Sequence, residues 1–342
     1  MEDLPPEILL FVIDFLPIRQ VFVTMRVSKL LEAACRNNIS SRKHLGLDCS
    51  KKGEKHVPAI DRMDVRMTTV DYLSMEKSLL RMKNLTTLVL EDDEASLLFV
   101  HLMIENNAET LEVVIVHAEE DHTMPNLLLP NLKTLGVDNG VDDFTHSRDY
   151  SSRPFYPKLQ TLYYDWCHGN DLFWLPVSMR SIQFVFSYDD NEFDTAVRGF
   201  KRLKNLRHIS AVIVHCGMDD VIQLLRSLKQ LESLVIVRPF DGESIGLSSL
   251  VQLENLKKLV VKGGKLEHDA LDHISRLRHL QFLRIKECGV KWTTDEVRRF
   301  LTDGPIATLM SLKLEVAEAD EVETLVAQVR RERGSGLQFT SM

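Results

Sequence analysis

The sequence predicts an α/β fold: a solenoid of strand-plus-helix units, preceded by a small, purely helical N-terminal segment. Three observations carry this. A short pattern (apolar, two others, apolar, one other, apolar) recurs ten times between positions 85 and 314. Between its copies, apolar residues fall at i, i+3, i+4 and i+7, the spacing of an amphipathic helix. The first forty residues hold short apolar runs punctuated by proline.

At the N-terminus, Pro5 and Pro6 suit the first turn of a helix, where a missing N–H is harmless and φ is already set. Ile8, Val12, Ile13 and Leu16 follow at helical spacing, with Leu9 and Phe15 widening the apolar face. Leu16-Pro17 stops this helix, and two further runs, Ile18 to Met25 and Ser28 to Asn37, follow. Three short helices cannot bury a full core of their own, so this segment is expected to lean on a partner. Leu45-x-Leu47 and Val65-x-Met67 then read as strands of degenerate repeats, with the polar Lys51 to Lys55 as a loop.

The regular pattern starts at Leu85 and returns at Leu111, Leu132, Leu159, Met179, Leu206, Leu231, Leu256, Leu280 and Leu309. Successive starts are 26, 21, 27, 20, 27, 25, 25, 24 and 29 residues apart. Those steps lie within or beside the 20–29-residue period of leucine-rich repeats. The chain is therefore expected to be a leucine-rich-repeat solenoid of about ten to twelve repeats. Helical stripes follow several strands: Val221, Leu224, Leu225 and Leu228 after Asp220; Ala270, Ile274 and Leu277; Val297, Phe300 and Leu301. A last stripe, Val322, Leu325, Val326 and Val329, begins with Asp320 and Glu323 at the spacing of a capping box. Residues 142–157 are polar and turn-rich and read as an insertion on the rim of the array. Gly334-Ser335-Gly336 reads as a helix stop, followed by a weak capping strand, Leu337-x-Phe339. The expected domains are residues 1–42 and residues 43–342.

The formal charge of −8 argues against broad nucleic-acid binding. No apolar run reaches the roughly 18–20 residues of a membrane span, and no basic region precedes the first apolar segment as in a signal peptide. Five scattered cysteines without Cys-x-x-Cys fit a reducing compartment, so the expected location is cytoplasmic, nuclear or both. Cys167 and Cys288 fall at the ninth place of their repeats, where a small polar side chain turns inward to satisfy the bend after the strand. The reading for both is buried and structural. His117, Glu119, Glu120, Asp121 and His122 lack an established metal-ligand spacing and read as a solvated acidic loop. Gly263-Gly264-Lys265 lacks the first glycine and the Ser or Thr of a phosphate loop, and no hydrolase or dinucleotide motif occurs. The expectation is a non-enzymatic protein without cofactor or metal.

Strand side chains alternate, so residues 4 and 6 of each repeat should enter the core and residues 3, 5 and 7 should line the opposite face. That face reads as acidic to neutral early, mildly apolar in the middle and basic late. The late residues are Lys258, Lys262, Phe282, Arg284, Lys286 and Lys313. Five cations that close repel unless a ligand or neighbouring carboxylates offset them. They are the expected binding site for an acidic or phosphorylated protein segment, with Phe282 as a central apolar contact.

Leu4-Pro5-x-Glu7-Ile8-Leu9, Ile13-x-x-Leu16-Pro17-x-Arg19-x-Val21 and Val27-Ser28-Lys29, in that spacing, resemble an F-box over residues 2–40. Leu31 stands where that family usually has tryptophan. Together with the repeats, the chain resembles the F-box/leucine-rich-repeat proteins. The resemblance implies a substrate-recognition subunit of a cullin–RING ubiquitin ligase. Its three-helix F-box would dock on a Skp-type adaptor, and through it a cullin, while the repeats hold a protein substrate. It implies adaptor contacts by Leu4, Pro5, Ile8, Leu9, Ile13, Leu16, Val27 and Leu31. The alternative is a non-degradative leucine-rich-repeat scaffold with a vestigial F-box.

Overall fold

The structure is a computed structural model that describes residues 35, 43–48, 79–91, 97–117, 127–137, 156–167, 172, 175–186, 193–213, 228–238, 244–245, 247–267, 269–304, 308–334 and 336–341. The chain forms two compact units, Met1–Asp165 and Trp166–Met342.

In the first unit, β1 (His44–Asp48), β2 (Thr87–Glu91), β3 (Val113–His117), β4 (Thr134–Val137) and β5 (Thr161–Cys167) lie side by side in sequence order. β5 runs across the unit boundary. The pairing from β1 to β5 is parallel and never slips, so Leu45, Leu88, Val114, Leu135 and Leu162 are lateral neighbours. β2 to β5 each begin two residues after the leucine that opens the pattern, as the sequence predicts. One helix, α1 (Leu97–Asn106), connects β2 to β3 and buries Phe99, Val100, Met103 and Ile104.

The second unit repeats the plan. β6 (Ser181–Phe186), β7 (His208–Ile213), β8 (Ser233–Arg238), β10 (Lys258–Gly263), β12 (Phe282–Lys286), β13 (Ser311–Leu314) and β14 (Gln338–Ser341) form one parallel series. Its register carries Ile182, Ile209, Leu234, Leu259, Leu283, Leu312 and Phe339 across as one row. β9 (Ser244–Ile245) and β11 (Lys265–Leu266) pair separately. The crossovers are α2 (Phe193–Arg202), a 3₁₀ turn at Ser248–Gln252, α3 (Ala270–Ile274), α4 (Thr294–Asp303) and α5 (Ala319–Arg333).

The register has a common hydrogen-bond device. In most repeats the N–H groups of residues 2 and 3 both donate to the carbonyl of residue 2 in the repeat before. Glu112 and Val113 donate to Thr86 at 2.8 and 3.0 Å, and Lys257 and Lys258 to Glu232 at the same distances. Just before the pattern, Asn131, Asn205 and Asn255 each send Nδ2 to a carbonyl of the preceding repeat (Glu109, Val177 and Lys229). The pattern's opening residues are fully buried, as are residues 4 and 6 of each strand whose burial is described, so each unit has one continuous core. Phe184 on β6 and Phe200 on α2 illustrate strand–helix packing, with ring centroids 5.7 Å apart.

Several sequence expectations are met and some are corrected. Ala270, Ile274, Val297, Phe300 and Leu301 are buried on helical faces, and Leu277 is buried just beyond the end of α3. Gly334 ends α5 at φ 61°, a left-handed cap that glycine takes without a Cβ penalty. The capping box expected at Asp320 is not there. α5 starts at Ala319, its N-cap residue Glu318 makes no side-chain cap, and Asp320 lies inside the first turn. The Glu318 carboxylate reaches the preceding helix instead, accepting from the Thr294 N–H at 3.2 Å. The box occurs at the start of that helix, α4, where Thr293 and Glu296 bond each other's backbone. Tyr156, at the end of the stretch read as a rim insertion, is buried, and burial raises its phenol pKa. In the first unit, residue 5 of three strands departs from the alternation: Val89, Ile115 and Gly136 are buried, and Val89 and Ile115, 2% and 1% exposed, pack on each other. Gly136 on β4 leaves Ile115 its space, since a Cβ there would lie 3.0 Å from Ile115 Cγ2. Val65-x-Met67, the stripe Val221 to Leu225 and the acidic loop after His117 lie outside the described residues.

Candidate functional site

The strand face of the second unit alternates as expected: residues 4 and 6 are buried and residues 3, 5 and 7 are partly or fully exposed. Its chemistry follows from the lateral register. Val185, Val212, Val235, Val237 and Val260, all partly exposed, make an apolar band over β6, β7, β8 and β10. Beyond it lie the predicted late residues, brought together as adjacent pairs: Lys258 beside Phe282, Arg284 beside Lys313 and Lys262 beside Lys286.

The three pairs are not equivalent. The Lys258 ammonium sits 5.7 Å from the Phe282 ring centroid, in cation–π range. Lys286 Nζ lies 2.7 Å from Glu287 Oε1, and Lys262 Nζ lies 3.7 Å from Glu287 Oε2. The hydrogen bond from Lys286, with the Lys262 charge behind it, holds the Glu287 carboxyl below its ordinary range. Glu287 reaches this place because it lies one residue beyond β12 at φ 59°, with its N–H donating to Glu315 Oε1 at 2.9 Å. Arg284 and Lys313 have no ion-pair or hydrogen-bond partner for their charged ends among the described residues. The predicted cluster of five cations is thus corrected to two free cations, two sharing one carboxylate, and one lying over an aromatic ring. Sequence reading missed Glu287 and Glu315. Glu315 could have been found by carrying the alternation one step past Lys313, whereas Glu287 depends on a left-handed turn that no pattern shows.

One edge of this face is laced by charge pairs from residue 2 of successive repeats. Glu232 lies 2.7 Å from Lys257 Nζ and 3.8 Å from Arg207 Nε, and the Lys257 bond lowers its pKa. These groups are exposed enough that each pair contributes little to stability.

Cys288 is buried at the bend after β12, as predicted. Its Sγ donates to the Lys286 and Gly263 carbonyls at 3.2 and 3.3 Å, and burial pushes the thiol up to about 12. That is the opposite of what a nucleophilic cysteine needs. Cys167 is the last residue of β5. No group of three metal-ligating side chains occurs among the described residues, and no helix among them is long and apolar enough to cross a membrane. Leu4, Pro5, Ile8, Leu9, Ile13, Leu16, Val27 and Leu31 lie outside the described residues.

This fold is similar to that of an internalin from Listeria monocytogenes, at 11% identity and a TM-score of 0.51 over 94% of this chain and 90% of that one. A leucine-rich-repeat protein from Leptospira interrogans also aligns, at 13% identity and a TM-score of 0.30, over 90% of this chain and 98% of that one. The fold is a leucine-rich-repeat solenoid. At the other end of the sequence, residues 1–43 match the F-box domain. The chain thus joins a segment that matches the F-box domain to a leucine-rich-repeat fold. No curated protein matches it significantly. On the strand face of the second unit, the apolar band ends in Arg284 and Lys313, both partly exposed.

Proposed function

We propose that this protein is the substrate-recognition subunit of an SCF-type, cullin–RING ubiquitin ligase. The observation that carries the reading is the joining of an F-box domain at residues 1–43 to a repeat array whose strand face presents side chains that the core does not use. The F-box docks on a Skp-type adaptor through Leu4, Pro5, Ile8, Leu9, Ile13, Leu16, Val27 and Leu31, and the adaptor joins a cullin. The repeats hold the protein substrate on the face carrying Lys258, Lys262, Phe282, Arg284, Lys286 and Lys313. The receptor itself makes and breaks no bond. It acts by holding the substrate's lysines close to a ubiquitin-carrying enzyme, which replaces a bimolecular encounter with a local one. The scattered cysteines favour cytoplasm or nucleus as the place of action.

The test is co-purification of the full chain with a Skp-type adaptor and a cullin, for the native protein and for a Leu4→Asp/Ile8→Asp variant. Each substitution puts an unpaired carboxylate into an interface that must be dry, at a cost of several kcal/mol. The variant is expected to lose the adaptor while its repeats stay folded, because a repeat array makes its own core. Recovery of neither adaptor nor cullin by the native chain would favour a non-degradative scaffold with a vestigial F-box, and a double variant that keeps full adaptor stoichiometry would overturn the F-box docking.

A further inference from the structure

Away from the strand face, the edge at which the chain enters the strands of the second unit has its own charge. Two residues before the opening leucine, the repeats of β7, β8, β10 and β12 carry Lys204, Lys229, Glu254 and Arg278, all exposed. Glu254 and Arg278 line a cavity of about 850 Å³, together with Val251, Arg276 and His279. The charged ends of Lys204, Lys229, Arg276 and Arg278 meet no ion-pair or hydrogen-bond partner among the described residues, and Glu254 pairs with none of them. Unopposed cations on neighbouring strands raise the local potential of this edge.

The opposite edge, where the strands end, carries the other sign. α5 opens there, and Glu318, Asp320, Glu321 and Glu323 are exposed at its start. Carboxylates are favoured at a helix N-terminus, which explains their place. Glu318 and Glu321 accept from Thr294, and no cation pairs with any of the four among the described residues.

We propose that the acidic first turn of α5 in one copy of this chain seats in the Arg276–Arg278 groove of a second copy. The proposal is independent of the ligase reading. Groove and turn lie at opposite ends of the same parallel strands, so a chain cannot fill its own groove. The contact joins two different surfaces and leaves one of each free on the pair, so association runs head to tail unless the rotation closes a ring. The shape and chemistry of the groove favour this occupant. A convex helix start with a few carboxylates fits a concave site, whereas a flat bilayer does not enter one. Glu254 interrupts the row of cations, which penalises a continuous polyanion. The lining holds no Phe, Tyr or Trp on which the bases of a single-stranded nucleic acid could stack.

The test is sedimentation velocity of the full chain over a range of concentrations, at low and at physiological salt. The native chain is expected to form species heavier than the monomer at low salt, with affinity about tenfold or more weaker at physiological salt. Arg276→Glu/Arg278→Glu should leave the chain monomeric, and so should Asp320→Lys/Glu323→Lys. Circular dichroism checks that both are folded, and Arg276→Gln/Arg278→Gln, which introduces no new charge, should weaken association by about tenfold. Mixed in equal amounts, the two charge-reversed variants should associate again, because each groove then meets a turn of opposite sign. A native chain that stays monomeric at low salt overturns the proposal. So does a folded reversed variant that associates like the native chain, or a mixture that stays monomeric. A monomer that anionic vesicles capture through Arg276 and Arg278 would put a lipid surface in place of the second copy, and would overturn it too.

Discussion

Asn107 is the polar residue whose loss should cost the first unit most. It is 2% exposed, just after α1. Its Oδ1 accepts from the Leu85 N–H at 2.9 Å, and its Nδ2 donates to the Met103 and Met82 carbonyls at 2.9 and 3.2 Å. Asn107→Ala strands all three groups. A buried N–H without an acceptor costs about 1–3 kcal/mol. The two carbonyls, which tolerate partial satisfaction better, add about 1–2 kcal/mol together. The expected loss is thus about 2–5 kcal/mol, concentrated where α1 meets the entry to β2. Because repeat arrays can unfold in steps, the readout is local: amide exchange at Leu85 in the full chain, alongside urea unfolding. A loss of about 3 kcal/mol corresponds to roughly a hundredfold faster exchange. The comparison is Asn255→Ala, which removes an exposed 2.9 Å bond to the Lys229 carbonyl and should cost under about 1 kcal/mol. If the two variants exchange and unfold alike, the reasoning about buried partners is wrong.

Cys288→Ala should cost about 1–2 kcal/mol by removing a donor to two carbonyls and leaving a small void, read as a lower urea midpoint. The native thiol should label slowly at neutral pH. With its pKa raised to about 12, its contribution is fully present below the ordinary thiol range and is lost as pH climbs toward that value. The alanine variant should therefore show a flatter alkaline limb, and rapid native labelling would contradict the burial. Thr293→Ala breaks the capping box of α4 and should cost about 1 kcal/mol, seen as faster amide exchange in that helix's first turn. Gly263→Ala combines φ 74° with a Cβ only 2.0 Å from the Arg238 carbonyl oxygen, so the end of β10 must pull away from β8. Its cost should exceed the roughly 1 kcal/mol of an unhindered left-handed site, and a neutral urea midpoint would refute the clash.

Much of the fold was legible because leucine-rich repeats write their core in a fixed order. The ten opening residues from Leu85 to Leu309 locate ten strands, each starting two residues later, and alternation sorts the second unit's face from its core. What stayed hidden depends on distances between repeats. Glu318 looks like a neighbour of its own helix, but its carboxylate serves Thr294, 24 residues earlier. Glu287 looks like one more charge after a strand, yet its left-handed backbone turns it onto two lysines. Val89 and Ile115 follow the alternation of an exposed row and are nevertheless buried. Asn107 carries no signal beyond being a polar residue among apolar ones. In each case at least one partner lies 22 or more residues away, beyond the reach of local pattern.

Pairing that never slips turns the strand face of each unit into a grid. Position within the repeat is one coordinate and repeat number is the other. Substituting a residue at an outward node changes what the surface reads without altering the ladder beneath, because the ladder is written in backbone groups and in the inward column. A lane such as Val235, Val260, Arg284, Lys313 can therefore be respelled one letter at a time. The same scaffold could be given a new binding preference by editing that lane alone, with the buried columns serving as an unchanged ruler.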